Sequence, residues 1–143
     1  MRGRGSCGRR PLAVSGVLLG LATIAGAVGA HALRPYWPTQ RLQVYDTAVR
    51  YQFYHSLGLL GIGLLLRTEG LRAADRDRQE ADHGQVRILR TAAWLVSAGI
   101  VLFSGSLNAL TLGVPRWVGV VTPVGGMALI GGWLLFAYGV WCG

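Results

Sequence analysis

The sequence has few charged residues, no lysine and only two cysteines. Asp, Glu and Arg make up 14% of its 143 residues, against about 25% charged residues in a typical soluble domain. Together with a hydrophobic fraction of 52%, this deficit excludes an intrinsically disordered chain and a typical soluble α/β or all-β domain. Cys7 and Cys142 form no C-x-x-C pair and no metal-ligand spacing, so we expect free thiols.

The remaining charges are segregated and leave long stretches of the chain uncharged. Four charge-free runs hold 91 of the 143 residues, at 11–33, 51–66, 91–115 and 117–143. A helix needs about 20 consecutive apolar residues to cross a bilayer. The pattern therefore predicts an all-α, polytopic membrane protein.

We predict one membrane domain over residues 12–143, a four-transmembrane-helix bundle that follows an Arg-rich tail at 1–11. Its helices are expected near 12–32, 44–66, 89–111 and 117–139, with a charged cytoplasmic loop at 67–88. The second run has only 16 residues, so its helix must begin upstream, near Val44. Asp46 and Arg50, four residues apart in that helix, are positioned to pair at the membrane interface.

The distribution of arginine predicts the orientation. With four spans, ten of the fourteen arginines lie on the side of the two termini and the 67–90 connection, and four lie on the other side. The positive-inside rule then places the N-terminus and C-terminus in the cytoplasm, as in a multi-pass protein of the cell inner (plasma) membrane. This asymmetry explains the net charge of +8, so we expect lipid contacts and no nucleic acid partner. The first run exceeds the signal-peptide core of about 7–15 residues, so we expect no cleavage at Ala30-His31-Ala32.

Uncharged polar residues inside the predicted spans gather in one layer, between the membrane midplane and the outer surface. Counted at 1.5 Å per residue, His55 lies roughly 16 Å from the cytoplasmic end of its helix. A polar side chain at bilayer depth needs an internal partner and marks the bundle interior. The ligand-binding candidates are therefore His55, Tyr51, Ser104, Ser106, Asn108, Thr122 and His31.

Small residues recur at helical spacing on several of the predicted helices. Such ladders let membrane helices approach closely, so they favour tight packing over a ligand cavity. The packing candidates are Gly16, Gly20, Ala22, Gly26, Ala30, Gly105, Gly125 and Gly126. Pro123, early in the fourth helix, is either a first-turn proline or the wall of a small cavity.

Three interpretations of His55, with Tyr51 one turn away, remain open. A neutral imidazole could bond Ser104, Asn108 or a backbone carbonyl, or it could belong to a small-molecule site for a quinone or a lipid. Metal or haem ligation fits poorly, because His31 lies roughly 10 Å higher by residue counting. With no HExxH, no carboxylate inside a span and no Glu-x-x-His pair, we expect no catalytic residue, no metal, no cofactor and no enzyme activity.

Five motifs occur together in one order. They are Gly26-Ala27-Val28-Gly29-Ala30-His31, Tyr51 with Tyr54-His55, Phe103-Ser104-Gly105-Ser106-Leu107, Arg116-Trp117, and Thr122-Pro123-Val124-Gly125-Gly126 followed by Gly132-Trp133. On these motifs the chain resembles the domain of unknown function 423 family, to which eukaryotic transmembrane protein 256 is similar. The resemblance covers roughly residues 12–138.

The family resemblance implies a compact four-helix inner-membrane protein without an established enzymatic activity. The motif positions of the family correspond here to seven residues, and the resemblance assigns no role to any of them. They are His31, His55, Ser104, Ser106, Thr122, Pro123 and Gly125. The chain departs from the family at Asn108, where an aromatic residue is frequent, and in its longer 67–90 loop and Arg-rich tail.

Three functions follow as hypotheses. The first is a non-catalytic accessory or packing subunit of a membrane complex, in contact with other membrane protein subunits or with itself. The alternative is a lipid- or quinone-binding module with a small polar pocket around His55. The third is passage of a small solute through the polar layer. This function is less favourable because no Asp, Glu or Lys is expected in the membrane interior and because the cytoplasmic half is apolar.

Overall fold

The computed structural model describes residues 8–75 and 81–142, and within them the secondary structure is helical without any strand. The helices in chain order are α1 at Arg9–Val28, a π-helical segment at Gly29–Leu33, α2 at Thr39–Asp75, α3 at Ala81–Thr111, a 3-10 segment at Arg116–Val120 and α4 at Val121–Trp141. Three stretches are long and apolar enough to cross a membrane, Arg9–Leu33, Gly84–Thr111 and Arg116–Trp141. The all-α prediction is confirmed.

Each helix packs antiparallel to the next in the chain. Gln52 of α2 donates a hydrogen bond to the Leu18 carbonyl of α1 at 3.0 Å, while Gly63, further along α2, lies against Leu12, earlier in α1. The same reversal relates α2 to α3 and α3 to α4. A buried apolar core joins α2, α3 and α4 in the half that holds the C-terminal part of α2: Leu59, Ile62, Leu66, Leu89, Ala93, Val96, Ile100 and Leu129.

The helices are longer than the predicted spans at two places. The predicted loop at 67–88 is helical wherever the structure describes it, because α2 continues to Asp75 and α3 begins at Ala81; residues 76–80 lie outside the described residues. The added segment of α2 contains Leu, Arg, Ala and Glu, which are strong helix formers, and no proline. α1 begins at Arg9, earlier than expected, and most of the predicted tail, with Cys7, lies outside the described residues.

Glycines spaced seven apart bring α4 close to α3. A Cβ at Gly132 would lie 2.8 Å from Cγ2 of Val96, one at Gly139 would lie 2.8 Å from Cγ2 of Ile88, and one at Gly125 would overlap the backbone of Phe103. Since only glycine fits at such distances, these three positions set the separation of the two helices.

The other packing candidates divide into two groups. In the first group, Ala22 is buried. A Cβ placed on Gly26 would lie 3.7 Å from Val49, and a Cβ placed on Gly126 would lie 3.8 Å from Phe103. By contrast, a Cβ at Gly16, Gly20 or Gly105 would meet nothing within 4 Å, and Ala30 is exposed. These four residues therefore do not pack tightly within the described chain, because they point away from the neighbouring helices.

Candidate functional site

His55 lies at a junction of α2 with α4, where Trp133 reaches across to it. The indole Nε1 of Trp133 donates a hydrogen bond to Nδ1 of His55 at 3.3 Å. This bond requires a lone pair on Nδ1, so a neutral imidazole carries its proton on Nε2. The predicted partners, Ser104 and Asn108, make no bond to His55; an indole from α4 takes that place. Counting residues along a helix does not give the direction in which each side chain points.

Trp133 fits against His55 because Gly58 leaves room for its ring. A Cβ at Gly58 would overlap the six-membered ring of the indole. Gly58 is one turn from His55 on α2, so the two residues form a single docking surface for Trp133. Glycine at this position is thus required by the close approach of an aromatic ring.

Further aromatic rings extend this contact to α3. Tyr51 packs edge-on against His55 with ring centroids 5.6 Å apart, and against Phe103 of α3 at 5.0 Å. Phe136 packs edge-on against Trp133 at 5.8 Å. We call Tyr51, His55, Phe103, Trp133 and Phe136 the aromatic cluster. It joins three helices, and the outer part of the Tyr51 ring remains exposed.

The polar candidates on α3 separate into a bonded pair and two atoms without partners. The hydroxyls of Ser106 and Thr122 lie 2.7 Å apart and link α3 to α4 by a hydrogen bond. Oγ of Ser104 and Oδ1 of Asn108, one turn apart on α3, are buried and have no hydrogen-bond partner among the described residues. Unbonded polar atoms are costly in a membrane interior, which marks this side of α3 as the unsatisfied part of the bundle.

His31 does not join the other candidates. It is exposed on the π-helical segment at the end of α1. Pro123 lies in the first turn of α4, where its missing N–H removes no required helical bond. The predicted single polar layer is therefore divided into the aromatic cluster, the α3–α4 hydroxyl pair and the π-helical end of α1. No group of three His, Cys, Asp or Glu side chains suited to a metal occurs in the described part of the chain.

A groove of about 430 Å³ opens between the π-helical end of α1 and the beginning of α2. We call it the α1–α2 groove. Small residues of α1 line one side, residues of α2 line the other, and two side chains of opposite charge, Arg34 and Asp46, contribute to the lining. No pattern in the sequence indicates this groove. Its lining includes Gly26, Gly29, Ala30, Trp37, Gln43 and the two charged residues.

Buried aromatic contacts fix the shape of the groove. The Tyr45 hydroxyl donates to the Ala25 carbonyl at 2.8 Å, and a Cβ at Gly29 would lie only 2.7 Å from the Tyr45 ring. Trp37 packs edge-on against Tyr45, with centroids 5.8 Å apart. On its other side, the Arg41 guanidinium lies 4.2 Å from the centre of the Trp37 ring.

Arg41 also connects this region to α3. Its Nε donates a hydrogen bond to the Thr111 carbonyl at 2.6 Å, at the C-terminal end of α3. A cation is favourable there because it meets the negative end of the helix dipole. The groove wall is therefore held by contacts that reach three elements of the fold.

A few sequence signals could have located the residues that were missed. The seven-residue spacing of Gly125, Gly132 and Gly139 indicates one face of α4. Gly29 and Tyr45 offer no such signal, because their contact depends on the π-helical turn, a rare geometry that the apolar run does not predict.

Comparison with known proteins identifies relatives along most of the chain. The family described as "Protein of unknown function (DUF423)" matches residues 25–126. A UPF0382 membrane protein of Staphylococcus saprophyticus is 37% identical over 83% of this chain and 86% of its own length. UPF0382 membrane protein YwdK of Bacillus subtilis is 40% identical over 80% of this chain and 82% of its own length. A UPF0382 membrane protein of Haemophilus influenzae is 34% identical over 80% of this chain and 79% of its own length. No solved structure matches the chain.

Proposed function

The chain belongs to the DUF423 family of membrane proteins, and we propose that it is a non-catalytic subunit that packs against other membrane helices. The observation that carries the proposal is the outward direction of Gly16 and Gly20. These two glycines form a G-x-x-x-G spacing on α1, both are exposed, and a Cβ on either would meet nothing within 4 Å.

A second helix would gain close contact at this face. Small residues four apart form a shallow groove on a membrane helix, and a partner backbone that enters it makes many van der Waals contacts. Val17, beside the two glycines, is 63% exposed and would form a ridge for the same contact. Against a catalytic role, His55 bonds an indole and not the carboxylate that orients a histidine base in known hydrolases.

Native mass spectrometry of the full chain, extracted gently from its own membrane, tests this proposal. The wild type is expected to retain a partner, either a second copy or another membrane protein. Gly16→Ile combined with Gly20→Ile should reduce that partner at least tenfold. The matched control is Gly61→Ile combined with Gly105→Ile, at two glycines that are equally open but lie on α2 and α3. A wild type without any partner, or equal losses in both double variants, would overturn it.

We further propose four spans, with both termini in the cytoplasm and the protein in the inner membrane. The crossing of α2 is supported by the packing of Leu59, Ile62 and Leu66 into the core that α2 shares with α3 and α4. Labelling with a membrane-impermeant maleimide tests the orientation in a Cys7→Ser background. Val114→Cys should react in intact cells, while Cys142 should react only after lysis. Reaction of Cys142 in intact cells would contradict the proposed topology.

A quinone- or lipid-binding role at the aromatic cluster is a second candidate, supported by the unbonded Nε2 side of His55 beside the exposed Tyr51 ring. Such a ligand would accept a hydrogen bond from Nε2–H and stack on Tyr51. Mass spectrometry of the copurified lipids and quinones, with thermal unfolding, compares wild type with His55→Ala. If this substitution alters neither measurement, the binding role at the aromatic cluster is rejected.

A further inference from the structure

We propose that the α1–α2 groove binds the headgroup of an aminophospholipid, a lipid that carries a primary ammonium group beside its phosphate. This inference goes beyond the proposed assembly function, since it uses a different face of the molecule. It rests on the charges in the groove, on their order along α2 and on the rigid contacts that shape the groove.

Three charged side chains are free to bind a ligand. Arg34 and Asp46 line the groove, and Arg50 lies one turn beyond Asp46 on α2, outside that lining. Asp46 was expected to pair with Arg50, but no salt bridge forms between them, and neither these two side chains nor Arg34 hydrogen-bonds with another described residue. Oδ1 of Asp46 lies 3.9 Å from the position that a Cβ of Gly29 would occupy, so the carboxylate stands beside the glycine side of the groove. An unpaired carboxylate in a groove that also holds an arginine is complementary to a zwitterion.

The order of these groups along α2 matches the order of groups in a lipid. Four exposed residues lie on one face of α2, because they follow each other at spacings of four, three and four. They are Asp46, Arg50, Phe53 and Leu57. Arg50 is roughly 6 Å deeper along the helix than Asp46, and Leu57 is roughly 16 Å deeper. An aminophospholipid presents its ammonium group first, then its phosphate, then its acyl chains.

The groove also lies at the level of lipid headgroups. The candidate span Arg9–Leu33 ends immediately before Arg34, and Trp37 follows at the depth where tryptophan is enriched in membrane proteins. We assign the ammonium group to Asp46 and Gln43, which line the groove, and the phosphate oxygens to Arg50, which lies one turn beyond the lining on α2. Arg34, at the outer rim, adds positive charge that attracts phospholipid to the site. Because Tyr45 and Arg41 hold the groove open, binding requires little ordering of the protein.

The test is native mass spectrometry of the purified full chain in detergent with added phosphatidylethanolamine, phosphatidylcholine or phosphatidylglycerol. The wild type should retain phosphatidylethanolamine severalfold more than the other two, because phosphatidylcholine has no N–H donor and phosphatidylglycerol has no ammonium group. Asp46→Asn should remove this preference for phosphatidylethanolamine over phosphatidylglycerol, because loss of a charge-assisted hydrogen bond weakens binding by about tenfold. Arg50→Gln should weaken both lipids equally, since both carry phosphate.

Two controls make the outcome decisive. Arg116→Gln removes an exposed arginine that does not line the groove, and it should leave lipid retention unchanged. Asp46→Glu keeps the charge and should restore most of the preference, while unfolding curves of each variant verify that it folds. Equal retention of all three lipids by the wild type, or an unchanged preference in a folded Asp46→Asn variant, would overturn the proposal.

Discussion

Replacing Gly58 by alanine tests whether the contact with Trp133 holds α2 and α4 together at His55. The added Cβ would lie 2.5 Å from Cζ2 of the indole and closer still to Cη2. Carbon atoms pack best at about 3.5–4.0 Å, so the ring must move by about 1 Å or more. A displacement of that size also disturbs the 3.3 Å hydrogen bond from Trp133 to His55.

The substitution should lower the free energy of unfolding. An alanine substitution at a second glycine separates the cost of the clash from the effect of alanine on the helix. Overpacking of this kind costs about 1–3 kcal/mol, and loss of a hydrogen bond inside a membrane adds about 0.6 kcal/mol. Alanine is favoured over glycine in a helix by about 0.5–1 kcal/mol, which offsets part of this cost. Gly61, on the same helix with nothing within 4 Å, gives the helix effect alone. Because that comparison cancels the helix effect, we expect Gly58→Ala to be about 2–4 kcal/mol less stable than Gly61→Ala.

Equilibrium unfolding in mixed micelles, followed by circular dichroism while sodium dodecyl sulfate is added, measures this difference. The same experiment on Trp133→Leu and on the Gly58→Ala, Trp133→Leu double variant completes a cycle. Because leucine leaves room for the new Cβ, the double variant should be more stable than the sum of the single effects predicts, by about 0.5–3 kcal/mol. Equal stabilities of the two alanine variants, or a coupling near zero, would refute the packing of Trp133 on Gly58.

The same unfolding assay checks three further predictions. Gly132→Ala should destabilise the protein by about 1–3 kcal/mol relative to Gly131→Ala, because only the first Cβ would meet α3; equal effects would contradict the α3–α4 seam. A double-mutant cycle of Ser106→Ala with Thr122→Val should give a coupling of about 0.6 kcal/mol, from their 2.7 Å hydrogen bond; additive effects would count against that bond. Ser104→Ala should leave stability unchanged or raise it, since its buried Oγ has no partner; a large loss would indicate a bound partner at Ser104.

Charge-free runs predicted where the helices lie, but not where they end. The energy of burying apolar residues in a bilayer determines the runs, while a helix continues for as long as its backbone hydrogen bonds and residue propensities permit. This explains why α2 continues past Leu66 to Asp75. It also explains why the π-helical turn at Gly29–Leu33 was not predicted, because its wider bonding depends on contact with another helix.

Residue counting along the helices did not predict the partners of the site residues. The sequence left open whether His55 bonds to Ser104, Asn108, a backbone carbonyl or a small molecule, and its partner in the structure is Trp133 of α4. A helix turns by about 100° per residue, so small changes in rotation decide which neighbour a side chain meets. The glycines illustrate the same limit: Gly16 and Gly20 have the spacing of a packing motif, but the spacing does not indicate whether the partner helix lies inside or outside the chain.

The two ends of the bundle are built for different tasks. Near the end of α2, Leu59, Ile62 and Leu66 pack with α3 and α4, and the glycines of α4 bring its backbone close to α3, so this half resists deformation. The opposite end holds the polar atoms without partners, the π-helical turn and the α1–α2 groove with its unpaired charges. Polar groups that fold without satisfying one another retain free energy that a ligand can recover when it binds. The rigid half thus supports the fold, and lipid binding is expected at the half that contains α1's π-helical end.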